Sequence, residues 1–159
     1  MKLLLFFCLA TFTVSGQELK KVMEPVDLLF DGMKRGDSSA VHRAFHSAAV
    51  LNTVYVDTKT NLPVLRGETL KEFLNAVGKP HTDVWNEMIW SPKIEVDGNF
   101  AQVWVNYAFY VNTRFSHCGV DAFHLFKDGS GAWKIFSLSD TRQKVGCEVP
   151  AEVSGKVGR

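Results

Sequence analysis

The sequence predicts an α+β domain, because helical patterns come first along the chain and long strands follow. Apolar residues recur at helical spacing from Val26 to Met33, and again within residues 68–77. From Val84 onward the segments are strand-like and are separated by turn signals such as Asp128–Gly131. Helices first and an antiparallel meander last imply that the helices pack against one face of the sheet.

Turn and cap residues give the expected limits of each element. Pro25 suits the first turn of helix one, which ends at Gly36, and Asp37 or Ser38 can cap a short second helix. The third helix covers residues 68–77, with Gly78 as its C-terminal stop. Strands are predicted at residues 49–57 and 62–65, and then at 85–90, 93–97, 100–111, 115–127 and 132–140.

The N-terminus has the pattern of a secretory signal peptide over residues 1–16. Lys2 precedes an apolar run that ends at small residues, and this run is shorter than the ~20 residues of a spanning helix. We expect cleavage near Gly16 and Gln17 and export to the periplasm or the cell exterior. An uncleaved anchor and a lipid-modified Cys8 are the alternatives.

Residues 17–147 are predicted to form one domain, and residues 148–159 a flexible tail in solvent. Removal of residues 1–16 takes away Lys2 and lowers the formal net charge from +1 to 0, which argues against a nucleic-acid partner and against membrane binding after cleavage. No Gly-rich phosphate loop or Cys-x-x-Cys pair is present, and no cofactor is expected. The two remaining cysteines, Cys118 and Cys147, form either one disulfide or two separate thiols.

Several segments resemble the nuclear-transport-factor-2-like superfamily, in its lumazine-binding-like, SnoaL-like branch. They are Ser116–Phe123, Trp133–Ile135, Asp140–Arg142 with Cys147, and the stretch from Val64 to Trp85. The resemblance spans about Met23 to Cys147 and implies a cone-shaped, curved antiparallel sheet with about three N-terminal helices on its concave face. It also implies a pocket between sheet and helices. The superfamily contains ketosteroid-isomerase-like enzymes, cyclases and dehydratases as well as non-catalytic binding and assembly domains, so the resemblance specifies no reaction.

Strand register predicts which side chains share the pocket. A two-residue turn at Asn112-Thr113 pairs Val111 with Arg114 and places four further pairs in register: Ala108–His117, Asn106–Gly119, Trp104–Asp121 and Gln102–Phe123. Pairing of Lys127 with Ala132 adds Phe136, Leu138, Asp140 and Arg142 to that face. The opposite face then holds Tyr107, Cys118 and other mostly apolar residues. A slip of one residue, or a bulge near Gly119, would exchange the faces.

From this register, the candidate catalytic residues are Asp121 and His117, since a carboxyl group among aromatic rings can acquire a raised pKa. The candidate ligand-binding residues are Trp104, Asn106, Tyr110, Phe123, Phe136, Asp140 and Arg142. For Asp140 and Arg142, an ion pair that fixes the strand end is the alternative. His42 and His46 have a spacing suited to a metal on a helix, but no third ligand is evident and no metal is expected.

Three functions follow from these residues. The first is an exported binding module for a small, partly apolar molecule. The second is a cofactor-independent isomerase, cyclase or dehydratase with Asp121 as general base and His117 or Tyr110 as oxyanion donor. The third is a dimerisation or assembly module that forms a homodimer through the exposed face of its sheet.

Overall fold

The computed structural model describes residues 15–158, so nearly all of the predicted signal peptide lies outside the described residues. The described chain contains these elements: α1 (Gly16–Arg35), α2 (Ser38–Ala44), β1 (Phe45–Val56), β2 (Pro63–Thr69), α3 (Leu70–Gly78), β3 (Trp85–Asp97), β4 (Phe100–Val111), β5 (Arg114–Lys127), β6 (Trp133–Arg142) and α4 (Ala151–Ser154). Within residues 15–158, no helix is long and apolar enough to cross a membrane.

Helix α1 starts earlier than Pro25, because the apolar stripe continues back through Val22. The Ser15 side chain caps the helix by accepting a hydrogen bond from the backbone N–H of Glu18 at 3.2 Å. The helix ends at Gly36, whose φ of 65° lies in the left-handed region that glycine adopts without strain. The buried stripe of α1 places this helix against the sheet.

The six strands form one curved, unclosed sheet in the order β2-β1-β6-β5-β4-β3. Strands β1 and β6 pair in parallel, and the other neighbours are antiparallel. Two strands predicted at residues 85–97 are one strand, β3, whose register with β4 shifts at Ser91 and Pro92. Phe30 of α1 packs edge-on against Phe123 of β5, and Phe73 of α3 against Phe45. We call the helix-covered side of the sheet the inner face and the opposite side the outer face.

The C-terminal segment packs on the protein, in contrast to the expectation that residues 148–159 extend into solvent. Cys118 and Cys147 form a disulfide across a sequence separation of 29 residues. Beyond it, α4 buries Val153, which is 7% exposed, while Val149 and Val157 pack against the apolar cluster around Cys118. The segment therefore covers part of the outer face, since these apolar side chains find partners there.

Gly119 allows the end of β6 to approach β5 closely. A Cβ atom at position 119 would lie 1.9 Å from the carbonyl oxygen of Thr141. Next to it, Cys118 exchanges two backbone hydrogen bonds with Gln143, both 2.9 Å long. The absence of a side chain at Gly119 thus sets the path of residues 140–143.

We expect Gly119→Ala to lower the free energy of unfolding by about 2 kcal/mol or more, because the backbone of Thr141 must move away. Gly129→Ala is the matched control, since nothing lies within 4 Å of a Cβ there and its change should stay within about 0.5 kcal/mol. Denaturant unfolding of both variants measures the difference. Equal stability of the two variants would contradict this account of Gly119.

Candidate functional site

The predicted register between β4 and β5 is wrong by one residue. Val111 does pair with Arg114, but β5 contains a bulge at Ser116, so that Phe109 pairs with His117 and Val105 with Asp121. A bulge inserts one unpaired residue and shifts every later pair on its strand. As a result, His117 and Asp121 share a face with Tyr107 and not with Trp104.

The structure brings Asp121, His117, Asp140 and Arg142 together around one inner cavity. Phe123 also points to the inner face but is fully buried against Phe30 and does not line the cavity. The other candidates lie on the outer face: Trp104 is 50% exposed, Tyr110 packs beside Cys118, Asn106 borders a separate outer groove, and Phe136 joins an outer aromatic cluster. Phe136 lies on the outer face because it is the extra residue of a second bulge. This bulge lies in β6 between Ile135, which pairs with Leu125, and Ser137, which pairs with His124.

The two histidines considered for a metal do not share a helix. His42 lies near the end of α2, whereas His46 lies in β1 with its ring edge-on to Phe126 at 5.2 Å. Among residues 15–158, no group of three or more His, Cys, Asp or Glu side chains is arranged to hold a metal ion.

The inner cavity measures about 70 Å³ and lies between the sheet and helices α1 and α3. Its apolar wall consists of Leu29, Phe30, Met33, Leu51, Phe73 and Leu138. Its polar wall consists of Asn52, Thr53, Glu68, Glu87, Tyr107, His117, Asp121, Asp140 and Arg142. Typical pockets for drug-sized ligands measure roughly 300–1,000 Å³, so this cavity suits a compact molecule or the polar end of a larger one.

Sequence reasoning missed Glu87, Tyr107, Thr53 and other polar wall residues. Glu87 is the one acidic residue in the largely apolar stretch Trp85–Trp90, and this position could have marked it as a candidate site residue. Tyr107 was assigned to the opposite face by the register error. The contributions of β1 and β2 could not be inferred, because β1 pairs with the distant β6.

Glu87 and Asp121 form a pair of hydrogen-bonded carboxyl groups deep in the site. Asp121 is 3% exposed, and its Oδ2 is buried without a hydrogen-bond partner among the described residues. Burial first, and then the nearby Glu87, raise the pKa of Asp121 well above its usual value. Burial also raises the pKa of Glu87, to about 7. Burial therefore favours the protonated, neutral form of the Asp121 carboxyl group.

Asp140 is fully hydrogen-bonded, in contrast to Asp121. Its Oδ1 accepts from the Thr53 hydroxyl at 2.6 Å, and its Oδ2 accepts from Arg142 Nε at 2.8 Å. The Tyr107 hydroxyl donates to the Thr141 carbonyl at 2.8 Å and lies 3.3 Å from Asp140 Oδ2. These contacts join β1, β4 and β6, so the predicted Asp–Arg pair is present and fixes the strand end while it lines the cavity.

His117 is a neutral imidazole at neutral pH. Its ring lies 5.0 Å from Phe109 and 5.7 Å from Tyr107, measured between centroids. Burial lowers the pKa of His117 to about 4, and the cations Arg142 and Lys144 contribute to this shift. Burial chiefly raises the pKa of Tyr107, which keeps its hydroxyl protonated. The cavity thus offers neutral hydrogen-bond donors and acceptors beside one ion pair.

Comparison with solved structures identifies the class of fold as NTF2-like. An NTF2-like protein of unknown function from Shewanella baltica has 20% identity and a TM-score of 0.61, with 84% of this chain and 99% of that chain covered. A "putative dehydratase from the NTF2-like family" of Streptomyces avermitilis has 14% identity, a TM-score of 0.61, and coverage of 81% and 98%. At these identities the likeness establishes the fold alone.

Residues 17–139 match the family described as "Putative lumazine-binding", and the chain belongs to this family. A third structure, the β subunit of a "putative aromatic-ring-hydroxylating dioxygenase" from Novosphingobium aromaticivorans, has 13% identity, a TM-score of 0.65, and coverage of 81% and 92%. No curated protein matches the chain. Both the predicted superfamily and the predicted α+β cone are confirmed.

The raised pKa of Asp121 predicts a pH-dependent gain in stability for Asp121→Asn. Above pH 3.8, the ordinary pKa of Asp, the unfolded chain releases the Asp121 proton while the folded protein keeps it. This group therefore reduces wild-type stability as the pH rises, by up to about 1.4 kcal/mol per pH unit until its folded pKa is reached. The variant has no such loss, so its melting temperature relative to wild type should increase as the pH rises above about 4.

The measurement is a series of calorimetric melts, with the exposed Asp97→Asn as control. In the control, the difference from wild type should not depend on pH in this way. His117 works in the opposite direction in both proteins, because its lowered pKa makes stability rise with pH between about 4 and 6.5; it cancels in the difference. A constant difference for Asp121→Asn would show that Asp121 is ionised in the folded protein.

Proposed function

We propose that this protein binds a small, partly apolar molecule in the inner cavity. Below about pH 7 both acids of the pair are protonated; Glu87 then donates to Asp121, and the remaining O–H of Asp121, on Oδ2, orients the molecule by donating a hydrogen bond to it. The observation that carries the proposal is the unpartnered, buried Oδ2 of Asp121 at the cavity wall. A buried polar atom without a partner is costly, so such atoms are rare unless a ligand or water satisfies them. A ligand oxygen that accepts this hydrogen bond would remove the cost.

The shape of the cavity supports the same proposal. Leu29, Phe30 and Phe73, on the two helices, offer apolar surface to the body of a molecule, while all the polar groups of the wall lie on the strands of the sheet. Small-molecule sites commonly combine apolar surface with polar groups that fix the orientation of the ligand. A compact ketone matches both parts, because its carbonyl oxygen accepts and its alkyl groups pack.

Butanone is a suitable probe, and its binding can be followed by NMR titration below pH 7, where Glu87 is protonated. We expect Asp121→Asn to keep the affinity for butanone within about threefold of wild type, because the amide is neutral and still donates. Asp121→Leu, which has the same branched shape but no polar atom, should weaken binding by about tenfold, since a hydrogen bond contributes roughly 0.5–1.5 kcal/mol. Asp97→Asn is the surface control. Unchanged binding in Asp121→Leu would show that Asp121 donates no hydrogen bond to the ketone.

A second candidate function is a cofactor-independent acid–base reaction. The observation that favours it is the paired carboxyl groups: the pKa of Glu87 is raised to about 7, which suits a general base, while Asp121 stays protonated and suits an acid. A structural neighbour carries the description of a dehydratase. This candidate gives the base role to Glu87, whereas the sequence suggested Asp121.

The same probe separates the two candidates. A base at Glu87 would exchange the α-protons of butanone for deuterium in D₂O, and Glu87→Gln would abolish the exchange. Binding without faster exchange supports a binding protein. Exchange that persists in Glu87→Gln would remove Glu87 as the base.

We also propose that the mature protein works outside the cytoplasm. The basic and apolar start of the chain supports export, and so does the Cys118–Cys147 disulfide, since disulfides persist in oxidising compartments. Protein purified from its own host should begin near Gln17, and its intact mass should lie about two daltons below that of the reduced form. A chain that retains Met1, or that carries two free thiols, would overturn this proposal.

A further inference from the structure

Arg142 has unused hydrogen-bonding capacity at the cavity. Its Nε donates to Asp140, but no acceptor among residues 15–158 contacts its two Nη groups. The side chain lines the cavity and is 49% exposed, so it borders both the cavity and solvent. A guanidinium held on one edge by a carboxylate presents its remaining N–H groups in a fixed plane, which suits a second carboxylate.

The surroundings favour an anionic group beside Arg142. The positive charges of Arg142 and Lys144 both lower the pKa of His117, so two cations contribute to the electrostatic potential in this part of the site. The negative charge of Asp140 is already engaged by Thr53 and Arg142. Glu68, on β2, is a further acidic residue of the cavity wall.

Sheet geometry sets the distance between Arg142 and the neutral acid. Asp121 pairs directly with Asp140 across β5 and β6, so Arg142 occupies the diagonal position on the same face. Diagonal neighbours have Cα atoms about 7–8 Å apart, and both side chains line one cavity of about 70 Å³. A molecule of only a few carbon atoms can therefore contact both groups.

We infer that the ligand of the inner cavity is a small oxo-carboxylic acid, whose carbonyl oxygen accepts from Asp121 and whose carboxylate binds the Nη groups of Arg142. This inference rests on the proposed function and adds the carboxylate to it. A neutral ketone satisfies Asp121 alone, and a simple carboxylate satisfies Arg142 alone.

Three probes of nearly equal size test the inference by NMR titration of the full mature protein below pH 7, where Glu87 is protonated. They are 2-oxobutyrate, which has both groups, butanone, which lacks the carboxylate, and butyrate, which lacks the carbonyl. We expect 2-oxobutyrate to bind at least about tenfold more tightly than either of the others, since hydrogen bonds to charged groups contribute roughly 1.5–3 kcal/mol.

Variants of Arg142 identify the group responsible. Arg142→Gln should lower the affinity for 2-oxobutyrate about tenfold, to that of butanone, and leave butanone binding within about twofold. Arg142→Lys keeps the charge but not the planar fork, and should recover only part of the affinity. Arg114→Gln, at an exposed position at the start of β5, is the matched control and should change neither affinity.

The outcomes distinguish this inference from the proposed function. If butanone binds and 2-oxobutyrate binds no more tightly, the role of Arg142 is overturned while the donor role of Asp121 stands. If butyrate and 2-oxobutyrate bind equally and butanone does not, the donor role of Asp121 is overturned. Should Arg142→Gln fail to fold, the wild-type comparison of the three probes and Arg142→Lys decide the question.

Discussion

The chemistry of this protein depends on the burial of one carboxyl group at the centre of a sheet. Asp121 lies among apolar side chains in β5, where an ionised acid would lose most of its hydration. The cost is avoided by protonation: burial raises the pKa values of both acids, and the neighbouring Glu87 raises that of Asp121 further, while their hydrogen bond lowers that of Glu87. Asp140, directly opposite, accepts hydrogen bonds from Thr53 and Arg142. Two neighbouring acids therefore have different properties because their partners differ.

The end of β6 is held over this acid by contacts from both faces. On the inner face, Tyr107 bonds to the Thr141 carbonyl. On the outer face, Cys118 bonds to Gln143 and forms the disulfide to Cys147. Gly119 provides the space in which β5 and β6 approach. The position of Arg142 thus depends on a backbone arrangement that is fixed on both sides, and side chains held this way can orient a ligand at little entropic cost.

The fold of this protein and the side chains of its cavity carry different information about its function. The family match and the neighbours at 13–20% identity establish an NTF2-like fold, and the structure has a cavity between the sheet and the helices. Folds of this kind host unrelated functions, so the function has to be argued from the side chains of this chain. In this protein those side chains are the Glu87–Asp121 pair, the neutral imidazole of His117 and the guanidinium of Arg142, which bonds to Asp140 through Nε. All of them surround a small cavity. This combination supports recognition of a compact polar group more directly than it supports any one reaction.

The sequence by itself determined the α+β class, because helical periodicity and turn residues are local properties that need no knowledge of distant partners. It also singled out Asp121, His117, Asp140 and Arg142, since polar residues in otherwise apolar strands stand out. Tertiary structure decided which residues join them. The bulge at Ser116 reversed the face of Trp104, Asn106 and Tyr110, and the pairing of β1 with β6 brought Thr53 to Asp140. Neither feature follows from the local sequence pattern. A bulge costs little free energy, and the parallel pairing joins residues far apart in the chain, since Thr53 and Asp140 are separated by 87 positions.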